Sequence, residues 1–234
     1  MLAVGERGSY HIDMIWNLSS LFSDPLGLLQ ELAYVIPVIL ISLTLHEWGH
    51  AYAAYRCGDP TAKNLGRMTL NPIAHIDPIG FFSLLLLGFG WAKPVPVNSR
   101  NYKNYKVGEI VVSLAGVTMN FLLVLLSSIT LIILGRHVPS AFRNEALMSI
   151  LMYFLSLNVT LMVFNLIPIY PLDGYHLFEL AFARILPVKV FWFLYRYGNW
   201  ILIALLVLFS RTGFSPIGIV QSWVIRVILF FIGL

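Results

Sequence analysis

A chain of 234 residues that is 59% hydrophobic and only 11% charged, with a mean hydropathy of +0.81, is too apolar for a soluble domain and fits one integral-membrane domain. A formal charge of +4 would suit nucleic acid in a soluble protein, but in a membrane chain basic residues mark cytoplasmic loops, so no nucleic-acid partner is expected. The single cysteine, Cys57, excludes an internal disulfide and a thiolate metal cluster.

Residues 1–13 lack the basic start and apolar middle of a signal peptide, so the first true span is expected to act as its own membrane signal. From Met14 to Glu31 the chain is broken by "DPLG" and too polar to cross; it reads as an interfacial segment, giving an N-terminal unit of residues 1–33. Tyr34 to about Cys57 is the first span, closed by "GDP", with Pro37 in its first turn where proline is tolerated. Between Ala62 and Tyr105 the pieces "RMTL" and "PVPV" alternate like short strands and are expected to form a small hairpin or loop region with an edge that an unwound substrate could join. Phe81 to Phe89 is apolar but too short to cross, so it is expected to insert partly.

Val107 to Leu134 and Leu147 to Ile167 supply two more spans. Tyr175 to Leu186 reads as a short helix of mixed polarity, and Val190 to Phe209 and Ile217 to Ile232 as two further spans. The expected fold is an all-α polytopic membrane protein of about five to six transmembrane segments, with the membrane-associated β-hairpin region after the first long span. Residues 34–174 would form a catalytic core and 175–234 a set of C-terminal helices. Arg56, Lys63, Arg67, Lys93, Arg100, Lys103 and Lys106 all fall between the first two long spans, which places that region in the cytoplasm.

The end of the first span reads "HEWGH". Residues four apart share a helix face, so His46 and His50 can direct nitrogens at one ion, while Glu47 can reach a water in an open coordination position. Intramembrane ionisable groups are costly and tend to be functional, and here three fall within five positions. Hydrolytic zinc has three protein ligands and a water. Asp173, in "PLDG" after the third span, is the leading candidate for the third ligand; Glu109, Asp77, His75 and His176 are alternatives.

"HEWGH", "GDPTAKNLGRMTLNPIAHIDPIG", "AKPVPVN", "SLAGVTMNF" and "FNLIPIYPLDG", in this order, closely resemble the site-2 protease family of intramembrane zinc metalloproteases, in its compact prokaryotic form without a PDZ or CBS domain. The resemblance runs from about Ile36 to Gly174. It implies one Zn2+ on His46, His50 and Asp173, Glu47 as the catalytic base, and Asn120 and Asn165 near the site as contacts to substrate or oxyanion. It also implies transmembrane protein substrates, and a multi-pass location in a prokaryotic cell membrane with the active site nearer the cytoplasm. Val117 stands where the family often has proline, a departure that bears on Asn120. A zinc-binding membrane module without proteolysis and a metal transporter are the competing readings. The intact Glu47 argues against the first, and the scarcity of ionisable groups in the later spans against the second.

Overall fold

The computed structural model describes residues 24–87, 90–212 and 216–233. Within them α1 spans Pro25–Cys57, α2 Thr61–Asn64, α3 Pro78–Leu87, α4 Tyr105–His137, α5 Glu145–Asn165, α6 Asp173–Phe182, α7 Val188–Thr212 and α8 Pro216–Ile232. Among the described residues four helices are long and apolar enough to cross a membrane: α1, α4, α5 and the Val188–Phe209 part of α7. At 17 residues α8 is a shorter apolar helix, and the 10-residue α3 has the length expected of a partial insertion. The protein is a multi-pass helical membrane protein.

Two expectations change. The first span starts earlier than Tyr34, because "DPLG" is a helix start: the Asp24 side chain accepts the Gly27 N–H and Pro25 occupies the first turn, where its missing N–H costs nothing. Helix α1 is therefore continuous from residue 25, which overturns the interfacial reading for residues 25–31, and residues 14–23 of that reading lie outside the described residues. The β-hairpin is also absent. Among the described residues there is no strand, only an isolated antiparallel bridge between Ile76 and Ala92. The alternation in "PVPV" misleads because Pro94 and Pro96 have no N–H for a ladder, and Val95 donates its own to a side chain. No sheet edge is present there to receive a substrate strand.

Helix α4 is the central packing partner. It lies along α1 through small residues: a Cβ on Gly49 would sit 2.8 Å from Met119 Cγ and 3.0 Å from the Ala115 carbonyl oxygen. Such approach of two backbones is how helices associate in lipid, where apolar burial gives no driving force. On its other side α4 meets α5 and α8 through Val124, Leu131, Leu155, Val159 and Ile228. Helix α3 folds back on α1, with Phe81, Leu84 and Leu85 against Val35 and Ile39, which Leu157 of α5 also covers. These contacts bring the end of α1, the middle of α4 and the start of α6 together.

Candidate metal centre

His46 and His50 project from one face of α1, seven to eleven residues before its C-terminus, which is capped by left-handed Gly58 with φ 114°. Asp173 is the first residue of α6. Gly174, beside it, has no positive φ; its smallness serves a close approach, since a Cβ there would lie 2.6 Å from the Ile167 carbonyl oxygen. That contact holds the start of α6 close against the backbone that leaves α5.

The three side chains converge. Nε2 of His46 and Nε2 of His50 are 3.1 Å apart, and Asp173 Oδ2 is 3.6 Å from the first and 3.4 Å from the second. Among the described residues, these are the one group of three such side chains whose ligand atoms converge in this way. A tetrahedral ion with ligands at about 2.0–2.1 Å requires them to be about 3.3 Å from one another, which is the size of this triangle.

Hydrogen bonds decide which atoms carry protons. The Val112 carbonyl oxygen lies 2.8 Å from His50 Nδ1; a carbonyl can only accept, so Nδ1 bears a hydrogen, and in the neutral ring Nε2 is the nitrogen with the lone pair. His46 is fixed by a longer relay. Asn158 donates through Nδ2 to the Phe154 carbonyl and to Ser42 Oγ, so its Oδ1 accepts from Asn120 Nδ2 at 2.8 Å. Asn120 then presents Oδ1 to His46 Nδ1 at 2.6 Å, which makes that nitrogen the donor. With both rings neutral, two imidazole lone pairs and a buried carboxylate oxygen that has no hydrogen-bond partner face one another. Three acceptors in contact repel unless a cation lies among them, and donation of the far ring nitrogen to a fixed partner is how metal-ligating histidines are held. The donor set fits zinc.

Glu47, 8% exposed, points its Oε2 to the Val95 N–H at 2.8 Å. This leaves the other carboxylate oxygen for a second partner. Asn120 is fully buried and both ends of its amide are engaged inside the protein, on His46 and Asn158. Asn165 donates to the Leu161 carbonyl one turn earlier in α5. The alternative ligands lie elsewhere: His75 is buried against the Thr69 carbonyl, Asp77 caps α3 by accepting the Gly80 N–H, and Glu109 and His176 line a separate cleft with Glu179.

Sequence reasoning missed Gly116. A Cβ at this position of α4 would stand 2.5 Å from His46 Cε1, 2.6 Å from His46 Nε2 and closer still to His50 Nε2, so the glycine vacates the space that the ligand nitrogens use. It also missed Ser42, Asn158 and the Val95 amide. One signal was present: Gly116 and Asn120 are one turn apart in an apolar span, a small and a polar residue on the same face.

A multi-pass helical membrane protein with a buried His-His-Asp triangle and a glutamate beside it defines the class of membrane metallohydrolases. A family model described as Peptidase family M50 matches residues 136–208, which include Asp173 and lie beyond the "HEWGH" motif. Over 154 residues the chain is 41% identical to "Putative zinc metalloprotease YwhC" of Bacillus subtilis, an alignment covering 64% of this chain and 70% of the relative. It is 34% identical over 163 residues to "Putative zinc metalloprotease Rip2" of Mycolicibacterium smegmatis, with 66% of this chain and 60% of the relative covered. It is 30% identical over 182 residues to the Rip2 of Mycobacterium tuberculosis strain Erdman, with 74% and 68% covered. No solved structure matches. The chain belongs to peptidase family M50, the site-2 proteases.

Proposed function

We propose that this protein is a zinc-dependent intramembrane endopeptidase that hydrolyses peptide bonds in or near transmembrane segments of membrane proteins. The observation that carries the reading is the convergence of His46 Nε2, His50 Nε2 and Asp173 Oδ2, with both histidines on a helix long enough to cross the membrane. Family membership and the names of the relatives support it.

His46, His50 and Asp173 would hold the ion. Bound zinc supplies Lewis acidity, which polarises a peptide carbonyl and makes water a nucleophile near neutral pH. Glu47 accepts the proton of the attacking water and returns it to the departing amine nitrogen. Its Oε2 is tied to Val95, so the free oxygen is the one that exchanges the proton. Asn120 acts by keeping His46 in the tautomer that offers Nε2. Asn165, at the end of α5, is the remaining candidate for an amide that contacts substrate. A helical substrate hides its carbonyls in its own hydrogen bonds and must unwind locally before one can enter. The region between α1 and α4 lies in the cytoplasm, on the strength of its five lysines and arginines and of Arg56 and Lys106 at the adjoining helix ends, with the site a few turns inside the cytoplasmic face of a prokaryotic cell membrane. Residues 34–174 make the catalytic core.

The test uses purified protein and its Glu47→Gln variant with a panel of single-span membrane peptides. Equal zinc content with cleavage by the parent alone is expected. A parent that binds zinc and cleaves no member of the panel would overturn the assignment.

A further inference from the structure

Resting on that reading, we propose that Asp59 is a positioning residue for the base: through the segment from Lys93 to Asn101 it holds the Val95 amide against Glu47. Asp59 follows the cap of α1 and is fully buried. Its Oδ1 accepts the Thr61 N–H at 3.1 Å, the Thr61 hydroxyl at 2.5 Å and Asn101 Nδ2 at 2.7 Å, while Oδ2 accepts the Asn98 N–H at 2.7 Å. One carboxylate thus ties the end of α1 to a stretch some forty residues later in sequence.

The other end of that stretch is also tied. Lys93 N–H donates to the His75 carbonyl, and Arg67 Nη2 donates to the carbonyls of Lys93 at 2.8 Å and Pro94 at 3.3 Å. Between the two anchorages runs Pro94-Val95-Pro96-Val97. Each proline has a fixed φ and no N–H, so Val95 carries the one backbone donor of the 94–96 stretch, and that donor is on Glu47 Oε2. Asn98 stands three residues on, about 10 Å of extended chain. A stiff strap held at both ends has no slack, and releasing Asn98 lets Val95 withdraw from the carboxylate. Glu47 then gains rotamer freedom, and the oxygen meant for water is no longer presented at one place.

Asp59→Asn keeps size and one acceptor but sets an NH2 against the Asn98 N–H, donor to donor. With a membrane-span peptide that the parent cleaves, kcat should fall about tenfold, since small misplacements of a reacting group carry penalties of up to about a hundredfold. KM and zinc content should stay at the parent values. Asn101→Ala, which deletes a single donor to Asp59, should lower kcat by about threefold and serves if Asp59→Asn folds poorly. Val95→Pro removes the amide itself. If Asp59 acts through that amide, the Asp59→Asn, Val95→Pro double variant is no slower than Val95→Pro alone. Hydrogen exchange in the Glu47→Gln background gives a readout free of activity: amides 93–98 should exchange faster once Asp59→Asn is added. Parent-level kcat in Asp59→Asn, multiplicative losses in the double variant, or unchanged exchange across 93–98 each overturn the proposal. A parent without activity refutes the protease reading instead, and the exchange measurement still decides the strap.

Discussion

Gly116→Ala tests the metal centre without touching a ligand. The added Cβ would lie 2.5 Å from His46 Cε1 and 2.6 Å from His46 Nε2, against 3.4–4 Å for ordinary contact, so a ring or a helix must shift by about 1 Å. The rings have little room to give. His46 is pinned at Nδ1 by Asn120 and His50 at Nδ1 by the Val112 carbonyl; moving either breaks the bond that sets its tautomer. Metal sites tolerate displacements of about 0.2 Å, and loss of an outer-shell partner alone lowers affinity by 10- to 100-fold. Zinc affinity should therefore fall at least about a hundredfold, or about 2.8 kcal/mol at 1.4 kcal/mol per tenfold. Competition with a chromophoric chelator, using detergent-solubilised protein, measures this directly. Gly135→Ala is the matched control: the three atoms nearest its Cβ are Ile232 side-chain atoms at 2.8–2.9 Å, so it should overpack α4 against α8 and leave zinc affinity intact. Parent-like affinity in Gly116→Ala would refute the packing argument.

Asn120→Ala deletes the acceptor for His46 Nδ1 and strands Asn158, so zinc affinity should drop about 10- to 100-fold; chelator competition checks it, and Asn158→Ala should give a smaller loss in the same direction. Asp59 sets a pH dependence outside the spans. Burial raises its pKa, but the hydrogen bonds from Thr61, Asn101 and the Asn98 amide outweigh it and leave it below the ordinary 3.8. A carboxyl with a lowered folded pKa stabilises the fold above the unfolded value and loses that contribution as pH falls through the folded one. The gap in melting temperature between parent and Asp59→Asn should accordingly be widest near neutral pH and close below about pH 4; a gap that stays constant down to acid pH would contradict it. Gln221 Nε2 bridges α8 to Ser156 and Thr160 of α5, and Gln221→Leu should cost about 0.6–1.7 kcal/mol of stability in detergent titration with zinc binding unchanged.

The three converging ligand residues are legible in sequence because two lie one helical turn apart and the third sits in a short turn-to-helix signature. Each is a local pattern, and hydrophobic run lengths likewise give the order of the helices. Failures arise where one string of residues supports two local readings. "DPLG" serves as a break or as a cap, and only the Asp24 bond to Gly27 separates them. "PVPV" alternates like a strand, yet its prolines empty the ladder of donors and reserve the Val95 amide for Glu47. Gly116, Ser42 and Asn158 depend on which helices cross and at what height, and a single chain does not announce a crossing.

Those same residues explain how a span carries such polar side chains. Ser42 and His46 on α1, Asn120 on α4 and Asn158 on α5 form one unbroken relay ending on the Phe154 carbonyl. Every polar side chain in it has a partner across a helix boundary, so the penalty for placing amides in lipid is offset by bonds that also lock three helices in register. The relay leaves a single unmet requirement, the lone pair on His46 Nε2, and the Val112 bond leaves the same requirement on His50. Folding alone therefore sets the tautomers and concentrates the residual polarity on one triangle, which Gly116 keeps open and Asp173 completes. The ion thus adds to a fold that has already arranged its ligands, and removing zinc should loosen α6 and the α5–α6 turn, which reach the triangle through Asp173, before it disturbs the α1–α4–α5 core.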